Sequence, residues 1–368
     1  MRTDHPTWAE QLARPVNTLL QQPWVENIAR PGTVDEVLSG VHPMLSLTQV
    51  RARVLRVIDE TPDTRTLVLQ PNALWRGAQA GQFVQVRAEI DGRRVERAYS
   101  VSSRPGARRI AITVKRQPGG LMSQHLHDHA RRGSVLTISQ AMGEFQLPAV
   151  LPPRILLLSA GSGITPVMAM LHDLRQRRYS GDVQFVHVCR SAEDLIFAQT
   201  LQAIAAQHPT LRLHLHFSAT MGRFDSATLQ RLVPDLATRA TWLCGPAALM
   251  DAVHELWQRE AFDAPLCSER FAAAPLQPAV ALGMPVSVDF ATSGKRFTTH
   301  GAGPLLEQAE RAGLAPRHGC RIGICRSCQC VKRSGTVQNL QTGELSSAPN
   351  ELIRLCISAA RSDVALDL

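Results

Sequence analysis

Cys320, Cys325 and Cys328 stand in the order C-x4-C-x2-C, and Cys356 follows 28 positions later in "LIRLCIS". Thiols in that pattern can act together only if the chain doubles back and lays a distant segment against a short loop. Any fold for the end of this molecule must therefore supply a return strand that finishes beside "GCRIGICRSC". The chain holds eight cysteines, an even number that an oxidising compartment would pair. Its opening stretch, "MRTDHPTWAEQLARPVNTLL", has acidic and polar residues where an export signal needs an apolar run, so a cytoplasmic location is expected. Thiols stay reduced there, and the cluster reads as metal ligation.

The spacing distinguishes between metals. C-x4-C-x2-C with a remote fourth cysteine is the plant-type [2Fe–2S] arrangement. Zinc is the competitor, but structural zinc sites favour short C-x2-C pairs at both ends, and Cys356 has no such neighbour. Gly323 lets backbone amides approach anionic sulfur. Cys330 lies two residues past Cys328, where an alternating strand pattern begins, and is expected to fill an apolar strand position. Cys189 and Cys267 have no partner at ligand spacing and are expected to be core thiols. Met168 and Met170 are likewise core candidates.

Charge excludes less than it first suggests. The net charge is +9 with a pI near 9.6, yet the basic residues are spread along the chain and only 5% of residues are aromatic, too few for base-stacking platforms. Nucleic-acid binding is not expected. The richest apolar stretch, "ILLLSAGSGITPVMAML", is broken by Gly, Ser and Pro, so no membrane span is expected. His125, His127 and His129 in "QHLHDHA" have no acidic or thiol cluster beside them and read as a surface helix.

Hydrophobic periodicity divides the chain. Residues 1–46 read as a helical extension ending at the Gly/Pro break "GVHPMLSL". Residues 47–150 hold short alternating runs separated by turns, the pattern of an antiparallel β-barrel. In 151–274 the buried-strand runs "RILLLSA", "VQFVHVC", "LRLHLHFSA" and "ATWLCG" alternate with helical patterns, which predicts an α/β doubly wound parallel sheet. An Ala/Pro-rich linker at 275–285 leads to a last α+β unit at 286–368.

Each middle region carries binding chemistry. In "RAYSVSS", Arg97 can pair with a phosphate, Tyr99 can pack on a flavin and Ser100 can hydrogen-bond a ring nitrogen. Gly119 and Gly120 in "VKRQPGGLMS" free backbone N–H groups before a helix that contains Ser123, a candidate phosphate ligand. In "SAGSGITP", Gly161 and Gly163 follow a buried strand and let a pyrophosphate reach a helix N-terminus, with Thr165 and Pro166 completing the motif. At the end of the second strand Arg190 and Ser191 stand where a carboxylate would favour NADH, so NADPH is expected and NADH is the alternative.

Together these motifs resemble known families. "CRIGICRSCQC" with "LCIS" is similar to plant-type ferredoxins of β-grasp fold, which implies Cys320, Cys325, Cys328 and Cys356 as ligands and one-electron transfer as the task. The order R-x-Y-S, G-G-x-x-S and "GEFQLP", then G-x-G-x-x-P and "LCGPAALM", resembles the ferredoxin–NADP reductase superfamily. That resemblance places Cys244 near the nicotinamide, with Gly245 and Pro246 shaping its pocket, and implies FAD, with FMN as the alternative. The implied task is a relay from NADPH through flavin and a [2Fe–2S] cluster. The domain order is similar to bacterial NADPH-dependent reductases that serve membrane fatty-acyl desaturases, and related fusions feed ring-hydroxylating oxygenases and other monooxygenases. A reading of another class is a redox sensor that binds the cofactors without turnover. From Val286 to Leu368 ten Lys/Arg stand against seven Asp/Glu. With Arg321 and Arg326 in the cluster loop, this leads to the expectation of a redox partner with an acidic docking face, and of membrane contact only through that partner.

Overall fold

The computed structural model describes residues 31–368 apart from 209, 272–275, 320, 322 and 324–326. It divides into two units, Met1–Phe271 and Ala272–Leu368.

The first unit contains two sheets. β1 (Val50–Thr61), β2 (Thr64–Pro71), β3 (Phe83–Ile90), β4 (Arg93–Ser100), β5 (Ile110–Lys115) and β6 (Val135–Ile138) form an antiparallel sheet in the order β4-β3-β6-β1-β2-β5. Val101 bridges Ile112, so the chain leaving β4 meets β5 and the sheet curls towards closure. Alternation along β1 and β2 sends Ala52, Val54, Leu67 and Leu69 into the barrel core with Val84, Val86 and Ile112. Of the leading extension, the helix Pro31–Val41 is described and the residues before it lie outside the described ones. Its buried Asp35 accepts a hydrogen bond from Ser46 Oγ at 3.0 Å, and Asn72 Nδ2 donates to the Met44 and Gln49 carbonyls, which fixes the entry to β1.

β7 (Arg154–Ala160), β8 (Asp182–Cys189), β9 (Leu211–Phe217), β10 (Ala240–Cys244) and β11 (Leu266–Glu269) form a parallel sheet in the order β11-β10-β7-β8-β9. Residues 155–160 are all buried because both faces are covered. The helix Ile164–Gln176 after β7 packs on one face with Val167 and Met170, whereas the helix Ala247–Glu260 after β10 packs on the other with Met250 and Val253. The sheet therefore reverses its winding between β7 and β10, which opens a crevice at their carboxyl ends.

β11 is a strand that the sequence patterns did not disclose, since "LCSE" is short and lies at the sheet edge. It corrects the expectation for Cys267, which is exposed on this edge strand; Cys189, Met168 and Met170 are buried as expected. In the helix Leu121–His129, His129 faces solvent while His127 is buried and meets the Val114 carbonyl at 2.9 Å.

In the second unit β12 (Val286–Phe290), β13 (Lys295–Thr299), β14 (Gln329–Ser334), β17 (Glu351–Arg354) and β19 (Val364–Leu366) form a mixed sheet ordered β13-β12-β19-β14-β17. β15 (Val337–Asn339), β16 (Leu345–Ser346) and β18 (Ser358–Ala360) form a small second sheet. The helix Leu305–Arg311 buries Leu305, Leu306 and Ala309 in a core shared with Val288, Phe290 and Ile353. The segment read as a linker is partly docked on this unit: the Gln277 N–H donates to the Leu340 carbonyl at 2.7 Å, and the Leu282 N–H to the His300 carbonyl at 2.6 Å.

Candidate functional site

Three sites arise from this frame, two made chiefly of backbone and one of sulfur.

At the barrel, period-two alternation puts Arg97 and Tyr99 on one face of β4. The Arg97 guanidinium is exposed, and its only side-chain bond among the described residues is to the neighbouring Glu96 carbonyl, so it is available to an anion. Burial pushes the Tyr99 phenol well above its ordinary range, leaving a neutral, flat, largely apolar ring. Ser100 is buried at the end of β4 and makes no side-chain hydrogen bond to any described residue. Gly119 is exposed with φ +71° and open space where a side chain would stand. Ser123 is differently placed from a free phosphate ligand. Its Oγ donates to the Gly120 carbonyl and accepts from the Gln117 N–H, each at 3.0 Å, and the side chain is buried. It shapes the turn together with the Gly120 N–H, which donates to the Gln117 carbonyl at 3.0 Å.

At the parallel sheet every candidate lies at the carboxyl edge. Gly161 has φ +52° and nothing near its missing side chain, leaving its face open to a ligand. Gly163 is glycine for another reason: a Cβ there would lie 2.2 Å from the Cys244 carbonyl oxygen and 2.9 Å from the Gly245 nitrogen. It seats the first turn against β10. Thr165 is buried and donates to the Ser162 carbonyl at 3.0 Å, and Pro166 falls in the first helical turn, where its missing N–H costs nothing. Gly245 follows β10 close against Ala160, and Pro246 caps the helix Ala247–Glu260. Arg190 is exposed beyond β8, and its guanidinium has no hydrogen-bond or ion-pair partner among the described residues. The Ser191 hydroxyl is bonded to Asp194 Oδ2 at 2.7 Å.

Cys244 is fully buried, and burial, with Glu269 acting in the same direction once ionised, pushes its thiol well above the usual thiol range. Glu269, opposite Cys244 in the β10–β11 pairing, is the residue that motif reading missed. Burial raises its carboxyl to about 8, and its Oε2 has no hydrogen-bond partner among the described residues. A carboxyl with that displacement at the sheet's ligand edge is a proton-holding group, a property that only the pairing of β10 with β11 discloses.

In the second unit Cys328 and Cys356 are buried with their sulfurs 3.2 Å apart, and the Gly323 N–H donates to Cys356 Sγ at 3.2 Å. Cys320 and Cys325 lie outside the described residues. Two converging thiols with an amide aimed at one of them suit an anionic metal–sulfur group. Cys330 points into the core on β14, its thiol pushed up to about 12 by burial and the neighbouring Cys328. Arg321 is committed elsewhere, making two hydrogen bonds to Glu310, and Arg326 lies outside the described residues. The basic character expected of the cluster loop is thus partly neutralised within the unit. Among the described residues no helix is long and apolar enough to cross a membrane.

Comparison with known proteins agrees with this division. Residues 52–147 match the oxidoreductase FAD-binding domain, 157–255 the oxidoreductase NAD-binding domain and 290–361 the 2Fe-2S iron–sulfur cluster binding domain. An NADPH oxidoreductase of Mycobacterium tuberculosis is 37% identical over 348 residues, covering 93% of this chain and 90% of that protein. The glycine betaine monooxygenase reductase subunit of Chromohalobacter salexigens is 30% identical over 375 residues, 93% of this chain and 99% of that protein. In fold, the chain is similar to phthalate dioxygenase reductase, with a TM-score of 0.60 at 23% identity over 87% of this chain and 98% of that one. The chain belongs to the ferredoxin–NADP reductase superfamily, in the branch with a C-terminal [2Fe–2S] ferredoxin domain, and is an NAD(P)H-dependent electron-transfer oxidoreductase that uses FAD and a [2Fe–2S] cluster.

Proposed function

We propose that this reductase draws on NADPH in the cytoplasm and supplies a membrane fatty-acyl desaturase. When bound, FAD accepts a two-electron equivalent from the coenzyme and the cluster releases electrons singly. The chain's own residues divide the supporting work. Arg97 neutralises flavin phosphate, Tyr99 offers an apolar ring to the flavin and Ser100 a hydroxyl. Gly119 presents its amide to the anion, while Gly120, whose N–H donates to the Gln117 carbonyl at 3.0 Å, and Ser123 hold the turn. Gly161 exposes backbone to the coenzyme pyrophosphate, and Gly163, Thr165, Pro166, Gly245 and Pro246 set the floor on which it lies. Cys244 provides a neutral thiol surface, and Glu269 holds a proton on its carboxyl below about pH 8. Cys320, Cys325, Cys328 and Cys356 form the ligand set.

The observation that carries the coenzyme preference is the exposed Arg190 guanidinium beyond β8, without a partner among the described residues and suited to a 2′-phosphate. Ser191 supports the turn through Asp194. For the acceptor, the support is the domain order with its leading extension and a relative named for NADPH. A second reading, delivery to a soluble oxygenase, is favoured by the relative named as a monooxygenase reductase subunit. Both readings expect an acidic docking face on the acceptor. The test is NADPH-driven turnover with desaturase-containing membranes and, in parallel, with a ring-hydroxylating oxygenase. Electron delivery to the membranes alone supports the desaturase; delivery to the oxygenase alone replaces it.

A further inference from the structure

Arg354 is the last residue of β17, two positions before Cys356, and no sequence motif singles it out. Its Nη1 donates to the Gly323 carbonyl, across the gap between the return strand and the cluster loop. The same glycine gives its own N–H to Cys356 Sγ at 3.2 Å. One residue further along, the Leu355 N–H donates to the Cys328 carbonyl at 3.1 Å. Gly323 is thus gripped at both ends, its carbonyl by a guanidinium and its amide by a ligand sulfur. Its conformation allows little adjustment: φ is +81°, and a Cβ would meet two side-chain carbons of Ile357 at 3.0 Å. The Arg354 guanidinium makes no other side-chain hydrogen bond or ion pair among the described residues, so its charge is not committed to a carboxylate.

We propose that Arg354 is a positioning residue for the iron–sulfur centre: by holding the Gly323 carbonyl it keeps the Gly323 amide aimed at Cys356 sulfur, and so favours the reduced cluster. The inference rests on the reading of Cys356 as a ligand. Reduction adds negative charge that spreads over the sulfurs, and an amide donor stabilises the more negative state more than the less negative one. A nearby uncompensated cation acts in the same direction. Loss of the clamp should therefore lower the potential without removing a ligand.

The test uses the purified holoprotein and reads the cluster directly, through iron and sulfide content, the EPR spectrum and a mediator-controlled redox titration. Arg354→Leu removes both donor and charge, Arg354→Gln keeps a donor, and Arg354→Lys keeps a donor and the charge. Arg354→Leu is expected to retain the cluster with altered g values and a reduced-to-oxidised ratio about tenfold lower at a fixed potential, which corresponds to about 59 mV. Arg354→Lys should recover most of that ratio and Arg354→Gln part of it. An unchanged potential and EPR spectrum in Arg354→Leu overturns the proposal, as does a Gln variant indistinguishable from Leu, which would leave only a charge effect. If the Leu variant fails to assemble, the Gln and Lys variants decide: graded shifts support the clamp, and wild-type potentials or failure to assemble in both overturn it. A wild-type protein lacking the [2Fe–2S] spectrum would instead overturn the ligand assignment itself.

Discussion

The nucleotide edge of the parallel sheet and the cluster loop of the second unit use glycine for opposite ends. Gly161 lies open with nothing near its missing side chain, ready for a ligand to approach the backbone. Gly323 is closed in by Ile357 and held through both its N–H and its carbonyl. One site is an open backbone surface; the other is an interior in which two buried thiols converge. Changes in the first should alter affinity by degrees, because several amides and one arginine share the task. Changes in the second should be abrupt, because in the proposed ligand set each thiol would be a separate bond to the metal.

The largest effect should come from the ligands. Cys356→Ala is expected to abolish the cluster's visible absorption and EPR signal while NADPH still bleaches the flavin. Cys330→Val, on the core face of the same strand system, should keep both signals. Loss in the Cys330 variant would mean that the ligand set is misassigned.

Next comes the buried cation between β14 and β17. Lys332 is wholly buried, its Nζ donating to the Gly335 and Ser346 carbonyls at 3.0 and 2.9 Å and lying 3.3 Å from Glu351. It ties β14 to the start of β17, the strand that delivers Cys356. Lys332→Ala leaves two carbonyls without their donor, while Glu351 keeps its bond from Ser346 Oγ, and should cost about 2 kcal/mol. Denaturant unfolding followed by loss of cluster absorbance measures this, and a midpoint equal to that of wild type would show the network to be dispensable.

At the nucleotide edge, Arg190→Ala should weaken use of NADPH by about ten- to a hundredfold, the worth of a charge-assisted contact of about 1.5–3 kcal/mol. Use of NADH should change little. Equal losses with both coenzymes would remove Arg190 from the 2′-phosphate site.

A pH dependence is expected from Glu269. Burial raises its carboxyl from 4.5 to about 8, so between those values the native state holds more protons than the unfolded chain. Stability should therefore fall as pH climbs through that window. Glu269→Gln should flatten the slope in thermal melts of the apoprotein; an unaltered slope would place the titration elsewhere.

What was legible in the sequence follows the same contrast. The cysteine spacing, R-x-Y-S and G-x-G-x-x-P declare themselves because the chemistry needs those residue types close together along the chain. Glu269 and Arg354 do not, since each becomes significant only through a partner far away in sequence: Cys244 across β10–β11, and Gly323 across the return from β17. Gly163 and Ser123 were visible as motif members, but their tasks were not. The first makes room for a neighbouring strand's carbonyl and the second closes its own turn. Cys267 was misplaced because a short edge strand offers no buried run to recognise it by.

The central claim is that reducing equivalents from NADPH reach the cluster through this one chain. Anaerobic titration of the purified holoprotein with NADPH, followed by optical and EPR spectra of the same samples, tests it most directly. Flavin bleaching should be accompanied by the EPR signal of a reduced [2Fe–2S] cluster, and in Cys356→Ala the bleaching should persist without that signal. A wild-type flavin that bleaches while the cluster stays oxidised through excess NADPH would contradict it.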